Sequence, residues 1–186
     1  VYGYGLVWLW CLGVNGGGRL GVDGIAGKSR LGINIGAGIG GRGWIAMEVY
    51  IQKKSSILGL ASGAISGLVG ITPAAGYVGV EGSLIIGLLS GVIGYYGVVH
   101  LKKALKYDDT LDVFGIHGLV GIWGALATGL FADPAINGEA GWFYGNPQQF
   151  VSQLIVVGIT IAFSLVGTFV LYKLTSFITG GTRVHS

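Results

Sequence analysis

Charge is what this chain has least of. Asp, Glu, Lys and Arg make up 10% of its 186 residues, where a soluble domain carries about 25%. With 52% hydrophobic residues and a mean hydropathy of +0.71, the composition argues against a water-soluble enzyme. It argues equally against a disordered chain, which combines low hydrophobicity with high charge. Cysteine is nearly absent: Cys11 alone can form neither an internal disulfide nor a multi-cysteine zinc site. Three prolines and no Gly-X-Y period exclude a collagen helix. No run of clustered Lys and Arg marks a nucleic-acid surface, and no GxxxxGK[ST] or HExxH string is present. Neither a Ser-His-Asp spacing nor a carboxylate pair deep in an apolar run suggests hydrolysis. No enzymatic activity, metal or organic cofactor is therefore expected. What the chain does have is long apolar runs and 38 glycines, which together point to an integral membrane protein.

Six apolar runs are separated by turn or charge signals: Val1–Val14, Leu31–Ile51, Ile57–Ile71, Ser83–Leu101, Leu111–Phe131 and Phe150–Leu174. Crossing a hydrocarbon core about 30 Å thick takes about 20 helical residues, which most of these approach. Ile57–Ile71 is short and is stopped by Pro73. The runs are continuous rather than alternating, which disfavours barrel strands. The expected fold is all-α, a polytopic transmembrane bundle of about six spans forming one domain over residues 1–186. The chain opens without methionine inside an apolar run, and no basic stretch precedes it as in a signal peptide, so it reads as a fragment or a processed product.

Basic residues orient the spans. If helices alternate direction, Lys53, Lys54, Lys102, Lys103, Lys106, Lys173 and Arg183 share one side. The opposite connections, Thr72–Gly82 and Ala132–Gln149, hold Glu81, Asp133 and Glu139 but no Lys or Arg. The lysine-bearing side and the C-terminus are expected to be cytoplasmic. Arg19, Lys28 and Arg30 break the pattern on the other side, and Arg42 falls inside a span. Glu48, about 9 Å further along a helix, could pair with Arg42 only under strain.

Glycine recurs at helical spacing: Gly32, Gly36 and Gly40; Gly63 and Gly67; Gly87 and Gly91; Gly91, Gly94 and Gly97; Gly115, Gly118, Gly121 and Gly124. Such rows let helix backbones approach closely in lipid, where packing replaces hydrophobic burial. General packing accounts for them, and shaping a substrate path is the sharper alternative.

The fifth run carries the densest polar signal. Asp108, Asp109 and Asp112 precede it, where carboxylates cap free N–H groups and complement the helix dipole; recruiting a cation is the alternative. His117 lies inside the run between Gly115 and Gly118. An ionisable group within a membrane is a functional-site hypothesis by default, and imidazole can donate through one nitrogen while accepting through the other. Val113 shares its face one turn earlier. A packing histidine bonded to a carbonyl is the competing reading. His100, beside Lys102 and Lys103, is expected to be solvated at the interface. The five tryptophans mostly sit near span ends, as interfacial anchors do.

These strings resemble a known family. LDVFGIHGLVGIWGALATGLFA is similar to the tenth helix of the ammonium transporter (Amt) family. LGLASGAISGLVGITPAAGYVGVEGSLIIGLLSGVIGYY resembles its eighth and ninth helices, and KLTSFITGGTRV the end of its last. The resemblance implies helices six to eleven of an eleven-helix homotrimer in the plasma membrane, with a cytoplasmic C-terminus. Each subunit would recruit ammonium, deprotonate it and pass ammonia along a pore lined by two histidines. His117 matches the second histidine and Val113 a pore-lining position. A nitrogen-regulatory protein on the cytoplasmic side is a further implied partner.

Departures from the family are specific. Its W-F-G-F-N-A-G-S string corresponds to Cys11-Leu12-Gly13-Val14-Asn15-Gly16-Gly17-Gly18. The tryptophan is thus Cys11, the second gating phenylalanine Val14 and the recruiting serine Gly18. Arg19, Lys28, Arg30 and Arg42 stand where the family is uncharged or small. The half supplying the first histidine is outside this sequence, so the chain alone is not expected to transport. A truncated, non-transporting membrane scaffold or paralogue subunit is the rival reading.

Overall fold

The computed structural model describes residues 2–18 and 22–180. Val1, Arg19, Arg183 and His185 lie outside the described residues. Six long helices are joined by short connections, and no strand occurs among the described residues. They are α1 (Tyr2–Gly17), α2 (Gly24–Gln52), α3 (Ile57–Ile71), α4 (Val80–Leu105), α5 (Phe114–Phe131) and α7 (Pro147–Ile178); the single turn α6 (Pro134–Asn137) lies in the last connection. Three of them, α4, α5 and α7, are long and apolar enough to cross a membrane; α3 is apolar but only 15 residues long.

Local chemistry sets most ends. Asp23 caps α2, its carboxylate accepting from the Ala26 N–H at 2.9 Å. Ser56 caps α3 through Gly59 N–H at 2.8 Å. Lys53 and Lys106 close α2 and α4 in the left-handed conformation. Pro147 sits in the first turn of α7, where its missing N–H costs nothing.

The α2 helix begins well before Leu31. Lys28 and Arg30 gave Gly24–Arg30 the look of a loop, but both are exposed residues on a helix whose other face is buried. Every other expected run matches a helix to within four residues at each end, and Ile57–Ile71 coincides with α3.

Glycine positions α2, α3 and α4. A Cβ on Gly40 would come within 2.6 Å of the Gly63 carbonyl oxygen, and one on Gly87 within 2.7 Å of that of Gly36. A Cβ on Gly67 would collide with the Gly36 oxygen, and one on Gly91 with the Gly40 oxygen. The three backbones thus touch without intervening side chains. Ile33, Ala37, Leu68, Ile71 and Ile86 fill the space around this crossing, joined by Ala127 of α5. Gly124 brings α5 onto the Gly70 carbonyl of α3. Three buried hydroxyls return to their own helices: Ser66 donates to Ser62 O at 3.0 Å, Ser90 to Ile86 O at 2.6 Å and Thr128 to Gly124 O at 2.9 Å. No polar hydrogen is left facing hydrocarbon at these positions. By contrast, α7 buries no residue completely and lies against α5 with most of its apolar surface open.

Glu48 does not pair with Arg42. Its buried carboxylate accepts from Trp44 Nε1 at 3.2 Å, from the Ser56 N–H at 2.9 Å and from the Ser56 hydroxyl at 3.0 Å. The left-handed turn at Lys53 folds Ser56 back onto it, so the carboxylate serves the start of α3. Trp44 is consequently a core residue rather than an interfacial anchor.

Placing a leucine at Gly67 should cost about 3 kcal/mol or abolish folding, because the obstruction is backbone. Gly158→Leu on open α7, which meets nothing within 4 Å, should be neutral. Thermal unfolding in detergent distinguishes the two.

Candidate functional site

His117 stands on an unusual piece of backbone. Phe114–Leu119 forms a π-helical turn at the start of α5, and Gly97–Leu101 forms another in α4. The two widened turns pack on each other through glycine: a Cβ on Gly115 would lie 3.0 Å from Val98 N, and one on Gly97 3.0 Å from Gly115 Cα. Such turns recur at functional sites.

The connection before α5 is held by charge. Asp109 accepts from the N–H groups of Val113 and Phe114 at 2.9 and 2.8 Å, capping the helix. Asp112 instead adopts a left-handed conformation with φ 56° and binds Lys102 Nζ at 2.7 Å. Lys102 also donates to the Asp109 carbonyl at 2.5 Å, so one ammonium ties α4 to the entry of α5. Asp108 is exposed. The three aspartates therefore differ: one caps, one pairs, one faces outward.

His117 itself is exposed, as are Val113 and Phe114. It opens into an apolar cavity of about 440 Å³ between α5 and α7, with Gly118, Gly121, Val157, Thr160 and Ser164 in the lining. Gly118 and Gly121 thus shape space rather than a close helix contact. Thr160 and Ser164 are polar members that the run Phe150–Leu174 contained but that apolar counting passed over.

The remaining candidates lie elsewhere. Val14 is exposed on α1 beside a shallow hollow with Leu6, Leu9 and Trp10. Cys11 is half-buried and packs against the core with Trp8 and Leu12. Gly18 borders a polar cavity of about 270 Å³ with Asn15, Ser29, Thr72, Tyr77 and Asn137. Asn15 donates to Thr72 Oγ1 at 3.1 Å, joining α1 to the end of α3. The lining of the cavity beside His117 includes none of Val14, Cys11 and Gly18. Asn15 and Thr72 were legible only as polar residues at the ends of apolar runs.

His100 is not solvated as expected. It lies against Tyr96 with ring centroids 5.1 Å apart, and its buried Nε2 has no hydrogen-bond partner. At the opposite end of the bundle, Asp133 caps α6 through the Ala135 N–H at 2.8 Å. Partial desolvation, then the carboxylates of Asp133 and Glu81, push the Tyr144 phenol above its usual range. Among the described residues no group of three His, Cys, Asp or Glu comes together as a metal site.

The model of the Ammonium Transporter Family matches residues 1–186. The chain belongs to the ammonium transporter family. It is 44% identical to an ammonium transporter of Bacillus subtilis, covering 94% of this chain and 44% of that protein. It is 41% identical to the ammonium transporter Amt1 of Archaeoglobus fulgidus, covering 99% and 46%. A crystal structure of Candida albicans Mep2 superposes with a TM-score of 0.92 at 34% identity, over all of this chain and 42% of that one. A sensor Amt protein shares the fold, with a TM-score of 0.78 at 24% identity. The chain spans less than half the length of these relatives. Membership of this transporter family, with its helical membrane fold, agrees with the apolar helices described above.

Removing the Asp109 carboxylate should destabilise the start of α5 by about 1 kcal/mol, as loss of a helix cap does. Asp109→Asn, which keeps one of the two acceptor oxygens, should lose part of that stability and Asp109→Ala all of it, as read by urea unfolding in detergent.

Proposed function

We propose that the polypeptide containing this segment carries ammonium nitrogen across a cell membrane, and that His117 stands in its path. Residues 1–186 form one transmembrane domain in this reading, the C-terminal half of an ammonium transporter. The remaining half closes over the exposed His117 face. The observation that carries it is the placement of one imidazole on a glycine-locked π-turn, open to an apolar cavity.

The chemistry follows from that placement. A hydrated ammonium ion entering an apolar lining loses water that Val113, Phe114 and Ile161 cannot replace, so the charged form is disfavoured. The neutral molecule can cross such a lining, and an imidazole nitrogen can accept from its N–H or donate to its lone pair. His117 would then hold the neutral species midway without trapping it. Gly118 and Gly121 keep room beside it. Val14, Cys11 and Gly18 occupy the gating and recruiting positions with smaller or less polar side chains, which widens the approach and weakens ion capture. The segment alone, lacking the opposing wall, conducts nothing in this reading.

A homotrimer, a plasma-membrane location and a cytoplasmic C-terminus belong to the same proposal. They are supported by the family and by the seven basic residues assigned to one side. A nitrogen-regulatory protein would meet that lysine-bearing end.

His117→Ala in the complete polypeptide should lower methylammonium uptake by about ten-fold or more, since a hydrogen bond to the passing molecule is lost. Unchanged uptake would remove His117 from the path; absence of uptake in the parent protein would favour the non-transporting scaffold.

A further inference from the structure

A polar cavity that the reading above does not use lies at the end of the bundle opposite Lys53 and Lys102. Here α3 stops at Ile71, α5 stops at Phe131 and α7 begins. Backbone bonds pin the chain: the Asp133 N–H donates to Tyr77 O at 2.8 Å, and the Gly141 N–H to Ala132 O at 2.8 Å. Gly129 admits the first turn of α7, since a Cβ there would lie 2.9 Å from Phe150 Cα. The cavity so formed, about 460 Å³, is lined by Pro73, Tyr77, Thr128, Glu139, Gln149 and Gln153. Gln149 and Gln153 are one turn apart and share a face of α7.

Its lining holds acceptors that nothing else uses. Of the carboxylates at this end, Asp133 caps α6 and accepts from Tyr144, and Glu81 occupies the first turn of α4. Glu139 is exposed on its loop, and among the described residues neither it nor Gln149 or Gln153 has a side-chain partner. The Thr128 hydroxyl donates to Gly124 O at 2.9 Å, which leaves its oxygen free to accept. Both α3 and α5 end here with about half a negative charge and α7 starts with about half a positive one, so the whole charge on Glu139 dominates. Lys28 and Arg30 belong to α2, which packs on α1, α3 and α4. A carboxylate, two amides and a hydroxyl around one space fit a small cation that only donates hydrogen bonds.

We propose that this cavity collects an ammonium or primary alkylammonium ion, with Glu139 as its charged ligand and Gln149, Gln153 and Thr128 as acceptors beside it. The inference rests on the transport reading and gives it a capture step. Gly18, at the recruiting position, brings no hydroxyl, and the cavity it borders with Asn15, Ser29 and Thr72 has no carboxylate in its lining. Pro73 and Tyr77 line both cavities, so the two abut across that connection. An ion released from Glu139 passes Tyr77 into the Gly18 cavity, keeping part of its water until it meets the apolar lining near His117.

The test is the ¹⁵N line width of labelled ammonium mixed with the complete polypeptide in detergent. Exchange with the bound state should broaden the line. Glu139→Gln, isosteric and on an exposed loop, should cut the added width about five-fold, as loss of a partly solvated charge-assisted hydrogen bond does. Glu139→Asp should restore part of it, and Glu81→Gln should leave it unchanged. Methylammonium in excess should sharpen the line, and potassium at the same concentration far less. The methylammonium KM for uptake should rise about five-fold in Glu139→Gln, by the same loss. No broadening by the parent, broadening indifferent to Glu139→Gln, equal loss in Glu81→Gln, or equal competition by potassium would each overturn the proposal. Line width is read without transport, so a polypeptide that binds ammonium through Glu139 but takes up nothing would refute the transport reading and uphold this site.

Discussion

Close backbone contact at glycine is the constraint on which this structure depends. Gly36 and Gly40 of α2 meet Gly63 and Gly67 of α3 and Gly87 and Gly91 of α4 at distances that admit no side chain. Lipid offers little hydrophobic drive for one apolar helix to join another, so dispersion over such contacts must hold the bundle. The same device recurs where α5 meets α3 at Gly124 and Gly70, and where the two π-turns meet at Gly97 and Gly115. The position of His117 is thus inherited from helix packing two helices away.

The entry to α5 adds electrostatics to that frame. Lys102 reaches from α4 to Asp112 and to the Asp109 carbonyl, while the Asp109 carboxylate satisfies the first N–H groups of α5. A helix beginning with a widened turn leaves donors that ordinary capping would not reach, and the two oxygens of Asp109 cover two of them. Charge here has a structural task that places the imidazole.

Much of this was legible in the sequence because it depends on short-range patterns. Apolar run length gave the helices, Pro73 marked the end of α3, and the spacing of glycines marked the crossing faces. What escaped depends on tertiary approach. Glu48 was read against Arg42 because only distance along the helix was visible; the turn at Lys53 delivers Ser56 instead. His100 was read as solvated because lysines follow it, but Tyr95 and Tyr96 enclose its ring. The separate fates of Asp109 and Asp112 follow from a left-handed residue and from Lys102 ten positions earlier, neither of which periodicity records. The π-turns have no sequence period of their own.

The central claim is that this segment is one wall of a path that needs the other. The measurement that addresses it most directly is the internal pH of vesicles challenged with an ammonium gradient. The segment, the complementary part and both together are reconstituted at equal density. The account predicts that only the two parts together speed the pH change above that of empty vesicles. A rapid change with the segment alone would contradict it, as would no change with a complete, correctly folded pair.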